Sequence, residues 1–205
     1  MIRKYAPELA LFACFLILLI AAHPVRADDC LPFRKLITGH AQAQYGLSAP
    51  VPMFAAQIQQ ESSCRPGIVS WDNGQGLAQF TGSTIDFAGK LFPDLGEPAP
   101  LNPIWAIPAM LRYDAWLKKQ LQAATECDGW AAALKAYNAG AGYVKRAQAA
   151  STEPGVWFGQ TEFVQTGQSA KNFEYSRMYP RKILIDRQPK FAIWGMMVCK
   201  EEMPI

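Results

Sequence analysis

The chain has 205 residues, half of them hydrophobic and 18% charged, with a formal net charge of +3. This length and composition fit one folded domain and exclude wholesale disorder. The small net charge, without a run of basic residues, argues against a nucleic-acid-binding protein. The sequence has no Cys-x-x-Cys pair and only two His, so we expect no metal centre, and we expect no cofactor.

The N-terminus predicts a secretory signal peptide. Arg3 and Lys4 precede an apolar stretch over residues 9–22, and small residues follow it up to Ala27. The apolar stretch is shorter than the roughly 20 residues that span a bilayer, which favours a cleaved signal over a membrane anchor. We therefore expect a signal peptide over residues 1–27, a mature domain over 28–205, and a periplasmic or secreted protein without a stable membrane anchor.

Cleavage after Ala27 would leave an even number of cysteines. Four Cys in an exported protein favour two disulfides, and the sequence leaves all three pairings open. The mature chain would also have a net charge of +1 and one histidine, His40, which we expect to be exposed on a helix. The four cysteines are Cys30, Cys64, Cys127 and Cys199.

Helical spacing of apolar residues recurs along the first half of the mature chain. It predicts a helix over 33–45, ended by Gly46, and a second helix over 53–60 that ends at Glu61. The turn-forming residues of segment 64–76 indicate a loop, and helical spacing returns over 76–92.

The second half is also predicted to be helical. Asn102 is a suitable N-terminal cap for a helix that extends to about residue 121. Asp128 is a suitable cap for a helix over 130–138 that ends at Gly140. A loop is expected over 150–171, then a last helix over 175–185. Since no β-alternation of any length occurs, the fold class is predicted to be mainly α.

Three segments carry residues suited to chemistry on sugars. Glu61 ends an apolar helix, and partial burial there would raise its pKa and keep it protonated as a general acid. Segment 70–80 combines glycines with amide and aromatic side chains, which suit sugar hydroxyls and ring faces. Segment 136–142 ends a helix with Tyr137 and Asn138. Taken singly, each also fits an ordinary helix end or turn.

Together and in this order, the segments resemble the soluble lytic transglycosylase-like members of glycoside hydrolase family 23. The family pattern Glu-Ser, Pro, Ser, Gly-Leu-x-Gln is matched without a gap by Glu61, Ser62, Pro66, Ser70, Gly76, Leu77 and Gln79. Residues 136–144 match its second motif, and residues 45–47 and 179–184 resemble flanking segments. The resemblance spans roughly residues 36–185 and implies a disulfide-stabilised, lysozyme-like α-helical domain with a substrate groove.

The resemblance implies cleavage of the β-1,4 bond between N-acetylmuramic acid and N-acetylglucosamine in peptidoglycan. Glu61 would be the single acid and base, and the product would have a 1,6-anhydro end. The partner would be peptidoglycan glycan strands, bound by a monomer. The implied positioning residues are Ser62, Gln79, Tyr137 and Asn138, and the candidate sugar-contacting aromatics are Trp71, Phe80, Tyr143 and Tyr179.

The chain departs from the family pattern at several positions. Glu174 lies one residue out of register with the late Glu of the closing motif, and residues 155–171 resemble an insertion that would reshape one wall of the groove. Other departures are Asn73, Gly74, Ala78 and Gly82, and Cys64 replaces a hydrophobic residue three positions after the Glu.

Two other functions remain open. Asp72 could hold a hydrolytic water, as acidic residues do in goose-type lysozymes of the same fold, although its position before Asn-Gly favours a turn. A non-catalytic peptidoglycan-binding protein of a secretion or conjugation apparatus is the second alternative, and the presence of Glu61 argues against it.

Of the three disulfide pairings, we prefer Cys64 with Cys127 and Cys30 with Cys199. Cys64 follows the helix of Glu61 and Cys127 precedes the helix of Tyr137 and Asn138, and the two helices meet at the groove in the implied fold. The other pair would then tie the two ends of the mature chain together.

Overall fold

The computed structural model describes residues 27–199, and the predicted signal peptide lies outside them except for Ala27. Seven α-helices account for about half of the described chain, and its only β-type pairings are the isolated bridges Val69–Gln75 and Gln75–Phe80. The predicted mainly α fold is therefore confirmed. The helices are α1 (Arg34–Tyr45), α2 (Val51–Ser62), α3 (Gly82–Leu91), α4 (Pro103–Lys118), α5 (Glu126–Ala139), α6 (Ala141–Ala150) and α7 (Ala170–Arg181).

Shorter helical segments flank and join these helices. The last of them continue α7 as a π-helical segment, Lys182–Arg187, and a 3₁₀ segment, Gln188–Trp194. The others are 3₁₀ segments at Ala27–Phe33, Pro93–Leu95 and Thr161–Phe163. Within residues 27–199, no helix has both the length and the apolar character needed to cross a bilayer.

Helix α2 is the central element of the fold. Its first nine residues are all buried, and a helix that is buried on every side must be enclosed by other elements. The enclosing elements include α1, the N-terminal 3₁₀ segment and the C-terminal segments Lys182–Arg187 and Gln188–Trp194. The helix ends at Ser62, one residue after Glu61, because the next residue, Ser63, has a left-handed backbone (φ 53°).

An aromatic cluster joins α2 to its neighbours. The ring centroids of Tyr45, Phe54 and Trp130 lie 5.4 to 5.5 Å from one another. These residues belong to α1, α2 and α5. Aromatic pairs at this distance contribute about 0.5–1.5 kcal/mol each beyond the area that they bury, so the cluster stabilises the packing of the three helices.

The predicted helix over 76–92 begins later than expected, at Gly82. Positive φ angles at Gly76 and Gln79 interrupt helical geometry, and Gln75 bridges to Phe80 instead. A Cβ at position 76 would lie 2.0 Å from the carbonyl oxygen of Pro100. Glycine is therefore required at this position by both conformation and space.

Helix ends agree with prediction at some positions and differ at others. Gly46 ends α1, Asn102 caps α4 through its side chain, and Gly140 ends α5. The predicted cap of α5, Asp128, is wrong because Thr125 takes that position and its hydroxyl accepts the Asp128 N–H at 3.1 Å. Asp128 instead accepts the backbone N–H of Trp157 at 2.7 Å and so anchors the segment after α6.

The predicted second helix, over 53–60, extends from Val51 to Ser62. Two further boundaries also differ from the prediction. Helix α4 ends at Lys118, before residue 121, and α7 begins at Ala170, five residues earlier than predicted. The early start of α7 has a local cause, since the Ser169 side chain accepts the Asn172 N–H and caps the helix.

Two disulfides are present, as predicted, but the preferred pairing is wrong. The bonds are Cys30–Cys64 and Cys127–Cys199, with Cα separations of 5.2 and 4.9 Å. The N-terminal 3₁₀ segment packs against α2, which brings Cys30 to Cys64, two residues after the end of the helix of Glu61. Each end of the described chain is therefore tied to the helical core, and the ends are not tied to each other.

Candidate active site

A groove of about 870 Å³ lies between the end of α2, the loop before α3, the end of α5 and one face of α7. Eight of the predicted site residues line it: Glu61, Trp71, Asp72, Gln79, Phe80, Tyr137, Asn138 and Tyr179. The volume is that of a typical ligand-binding cleft. The groove therefore brings together residues from four separate parts of the sequence.

Glu61 stands in the last turn of α2 and faces the groove. Burial raises its pKa from 4.5 to about 7, and the nearby charge of Asp72 acts in the same direction. A hydrogen bond from Tyr179 acts in the opposite direction because it stabilises the carboxylate. A carboxyl with a pKa near neutrality can deliver a proton and later take one back, which is what a general acid–base needs.

Tyr179 comes from α7 and is almost fully buried, with 3% of its surface exposed. Its hydroxyl donates to Oε1 of Glu61. Burial and the charge of Glu61 hold the pKa of Tyr179 well above its usual value. The phenol therefore keeps its proton and acts only as a donor towards the carboxylate.

Hydrogen bonds of Ser70 stabilise the loop that forms one wall of the groove. The Ser70 hydroxyl donates to Oδ1 of Asp72, and the Ser70 N–H donates to the carbonyl oxygen of Gly74 at 2.9 Å. Asn73 adopts a left-handed conformation, so the turn predicted for Asp72-Asn-Gly is present. The hydrogen bond from Ser70 holds the pKa of Asp72 below its usual value, and Asp72 is an exposed, ionised carboxylate. Trp71, at the tip, is 95% exposed.

Tyr137 joins the end of α5 to this loop. Its hydroxyl donates to the carbonyl oxygen of Ala78 at 2.6 Å, and its ring lies 5.8 Å from that of Phe80. Gln79, between them, donates to the carbonyl oxygen of Gly76 at 2.9 Å. These contacts fix the loop wall against α5. Phe80 is almost fully buried and so forms part of the groove's base, while Asn138 is exposed at the end of α5.

Two predicted site residues do not line the groove. Ser62 is buried, and its hydroxyl donates to the carbonyl oxygen of Ile58 at 3.1 Å. Tyr143 has the Arg146 guanidinium over its ring and accepts a hydrogen bond from Thr166 at its carbonyl oxygen. Ser62 therefore supports the end of α2 from within, and Tyr143 packs in α6 away from the groove.

The late glutamate of the closing motif is also absent from the groove. Glu174 forms an exposed ion pair with Arg177, and the next residue, Tyr175, lines the groove instead. Tyr175 is one of three groove residues on α7 that the sequence interpretation missed, together with Lys171 and Asn172. Lys171, Tyr175 and Tyr179 follow one another at intervals of four residues, a helical spacing that could have revealed this face.

The described residues contain no cluster of three or more His, Cys, Asp or Glu that could hold a metal ion. His40 lies apart from the groove, beside Pro108 and Arg112. It is half-buried, not exposed as expected, and burial together with the Arg112 charge lowers its pKa.

Comparison with known protein families identifies residues 39–157 as a transglycosylase SLT domain. The matched segment covers more than half of the chain and includes Glu61, the loop wall and the end of α5, while α7 with Tyr179 lies beyond it. A comparison with curated proteins found no match. The helical fold, its groove and the family match agree, and the chain belongs to the transglycosylase SLT family of lysozyme-like lytic transglycosylases, which cleave peptidoglycan.

Proposed function

We propose that this protein is an exported lytic transglycosylase that cleaves the β-1,4 bond between N-acetylmuramic acid and N-acetylglucosamine and leaves 1,6-anhydro ends. The observation that carries the proposal is Glu61, a carboxyl with a pKa of about 7 that faces a large groove and is held by Tyr179. Export is supported by the signal-like N-terminus and by the two disulfides.

In the first step, protonated Glu61 donates its proton to the glycosidic oxygen. The bond from that oxygen to C1 breaks, and the N-acetylglucosamine chain leaves as an alcohol. Positive charge develops on the muramic ring, and the substrate's own acetamido group stabilises it. Most glycosidases use a second carboxylate for this purpose. Glu61 is left as a carboxylate that the Tyr179 hydroxyl stabilises.

In the second step, the Glu61 carboxylate takes the proton of the C6 hydroxyl of muramic acid. The C6 oxygen attacks C1 and closes the 1,6-anhydro ring, and Glu61 regains its proton. No water enters, and the carboxyl returns to its starting state. Because the Tyr179 bond uses Oε1, Oε2 is the oxygen left for proton transfer.

The remaining groove residues would position the glycan strand. Gln79 and Asn138 offer amide groups to the sugar hydroxyl and acetamido groups, and Tyr137 fixes the loop wall that carries Gln79. Exposed Trp71 offers a ring face to a sugar. The strand would bind to a mature monomer, residues 28–205.

A hydrolase is the second candidate, because Asp72 lines the groove as an ionised carboxylate. In that case Asp72 would hold a water that attacks C1 and would give a reducing end. Its hydrogen bond with Ser70 favours a role in the turn.

The masses of the products test the proposal. Wild-type protein and Glu61→Gln are incubated with purified sacculi, and released muropeptides are analysed by mass spectrometry. A lytic transglycosylase gives anhydro products about 18 Da lighter than hydrolytic ones, since no water is added, and the variant gives none. Reducing ends from the wild type would support the hydrolase. No release by the wild type would support a peptidoglycan-binding protein without activity.

A further inference from the structure

A second carboxyl lies beneath the groove, and the mechanism above makes no use of it. Asp114, on α4, is fully buried, next in sequence to the groove residue Tyr113. It accepts a hydrogen bond from Nε2 of Gln57 at 3.2 Å. Gln57 is also fully buried and stands on α2 four residues before Glu61, which places both on the same side of that helix. Asp114 is thus linked to the helix turn that carries the catalytic carboxyl.

Each member of this pair has one side-chain oxygen without a partner. Oδ2 of Asp114 and Oε1 of Gln57 are both buried, and neither has a hydrogen bond. With an ionised Asp114 both atoms are acceptors, and a buried acceptor without a donor is destabilising, more so when it is charged. A proton on Oδ2 of Asp114 makes that oxygen a hydrogen-bond donor. A carboxylic acid and an amide each present one donor and one acceptor, so they can pair through two hydrogen bonds at once.

Among residues 27–199, the titratable groups that interact electrostatically with Asp114 include no cation that would stabilise its charged form. They are one carboxyl and four phenols, which keep their protons, from five helices. Burial raises the pKa of Asp114 well above its usual value, and the charge of Glu61 raises it further. The five groups are Tyr45 on α1, Glu61 on α2, Tyr113 on α4, Tyr137 on α5 and Tyr179 on α7.

We propose that Asp114 carries a proton in the native protein and forms a ring of two hydrogen bonds with Gln57, which positions the turn of α2 that bears Glu61. The ring joins α2 to α4 without placing a negative charge beneath the groove. An anion there would oppose release of the Glu61 proton, which the first step of cleavage requires. Asp114 is a positioning residue, since it acts on Glu61 through Gln57 and the helix. Its effect on cleavage rests on the proposed function, whereas its protonation does not.

Infrared spectroscopy tests the protonation directly. The spectra of Glu61→Gln and of Glu61→Gln/Asp114→Asn are compared at pH 7, where the first substitution removes the signal of Glu61. We expect the difference spectrum to show the loss of a protonated carboxyl band. Loss of a carboxylate band instead would overturn the proposal.

Thermal unfolding gives a second test without substrate. A carboxyl with a raised pKa contributes stability that is complete below its unfolded value, 3.8, and is lost as the pH rises towards the folded value. The melting temperature of Asp114→Asn relative to wild type should therefore increase as the pH rises above about 4. Asp86→Asn, at an exposed carboxyl of α3, is the control, and the trend in Asp114→Asn should exceed the one in this variant. If the difference in melting temperature between Asp114→Asn and wild type stays constant with pH, the proposed pair of hydrogen bonds with a protonated Asp114 is contradicted.

Kinetics on sacculi test the positioning role. Asn can pair with Gln57 as the acid does, so Asp114→Asn should keep the pH profile of kcat/KM. Asp114→Leu cannot pair, and it should lower kcat by about 10- to 100-fold through misplacement of Glu61, with little change in KM. A shift of the Glu61 titration to lower pH in Asp114→Asn would show that Asp114 is normally charged. An inactive wild type would contradict the proposed function. The infrared and unfolding results would still show whether Asp114 is protonated and paired with Gln57.

Discussion

The hydroxyl of Tyr179 donates a hydrogen bond to Oε1 of Glu61, across 118 residues of sequence. Helix α7 brings the phenol to the end of α2, beyond the segment that the SLT family match covers. This bond opposes the effect of burial on the pKa of Glu61. The proton affinity of Glu61 therefore depends on two helices that are distant in the chain.

Removal of the acid should abolish cleavage. Glu61→Gln keeps the shape and hydrogen bonding of the side chain but cannot transfer a proton, and general acid–base catalysis alone contributes about 10² to 10⁴ in rate. We expect no muropeptide release from sacculi, with the circular dichroism spectrum and sacculus binding unchanged. Cleavage at more than a hundredth of the wild-type rate would contradict the role of Glu61.

The same variant should gain stability at high pH. The pKa of Glu61 rises from 4.5 to about 7 in the folded protein, so its stabilising contribution is complete below 4.5 and is lost as the pH rises to 7. Gln does not titrate. Thermal unfolding should show that Glu61→Gln becomes more stable relative to wild type across this window. A difference in stability between variant and wild type that stays constant with pH would argue against the raised pKa of Glu61.

Loss of the Tyr179 hydroxyl should move the pH profile. Cleavage requires protonated Glu61 at the start, so the wild-type rate should fall as the pH rises through about 7. Tyr179→Phe removes the donor that stabilises the carboxylate, which raises the pKa of Glu61 and shifts this fall to higher pH. Tyr143→Phe, in α6 outside the groove, is the matched control and should leave the profile unchanged. An unshifted profile in Tyr179→Phe would show that the bond does not tune Glu61.

Asp72→Asn separates the two enzyme mechanisms. In a lytic transglycosylase the change should cost little activity and leave the products with anhydro ends. It should also lower the pKa of Glu61 slightly, because the charge of Asp72 helps to raise it. In a hydrolase the same change should remove the residue that holds the attacking water, and the rate should fall by about 10²-fold or more. Initial rates and product masses from one digestion decide between them.

The disulfides should be Cys30–Cys64 and Cys127–Cys199, and non-reduced peptide mapping checks the pairing. They close loops of 34 and 72 residues, and loop-closure entropy predicts that each stabilises the fold by about 4 kcal/mol. Cys127→Ser/Cys199→Ser should lower the free energy of urea unfolding by about that amount. A Cys64–Cys127 peptide, or a variant as stable as wild type, would contradict this assignment.

Cleavage should not require a divalent metal ion. The groove offers Glu61 and Asp72 as its carboxylates, and neither belongs to a metal-binding cluster among residues 27–199. We expect equal muropeptide release with and without a chelator. Loss of activity that zinc or magnesium restores would overturn the assignment of Glu61 as the single acid and base.

Local sequence signals predicted those parts of the site that each lie within a single helix end or turn. The apolar run of α2 placed Glu61 at a helix end, and the loop after it carries Trp71, Asp72 and Gln79 into the groove. Tyr137 and Asn138 end the helix that Gly140 stops. These features follow from helix spacing and turn residues, which act over a few positions.

Contacts between distant segments could not be predicted in this way. The disulfide pairing depends on how the N-terminal segment packs against α2, and three pairings were equally compatible with the spacing of the cysteines. Ser62 follows Glu61 directly and still faces the core, because adjacent helix residues point about 100° apart.

Local patterns are sufficient to predict a helical domain with an acid at the end of an apolar helix, because amphipathic periodicity and capping residues are local properties. The groups that surround the acid depend instead on how the helices pack. Burial raises the pKa of Glu61, Tyr179 opposes this effect, and α7 supplies one wall of the groove with Tyr175 in place of Glu174. These effects arise from desolvation and from contacts across more than a hundred residues, which no local pattern encodes.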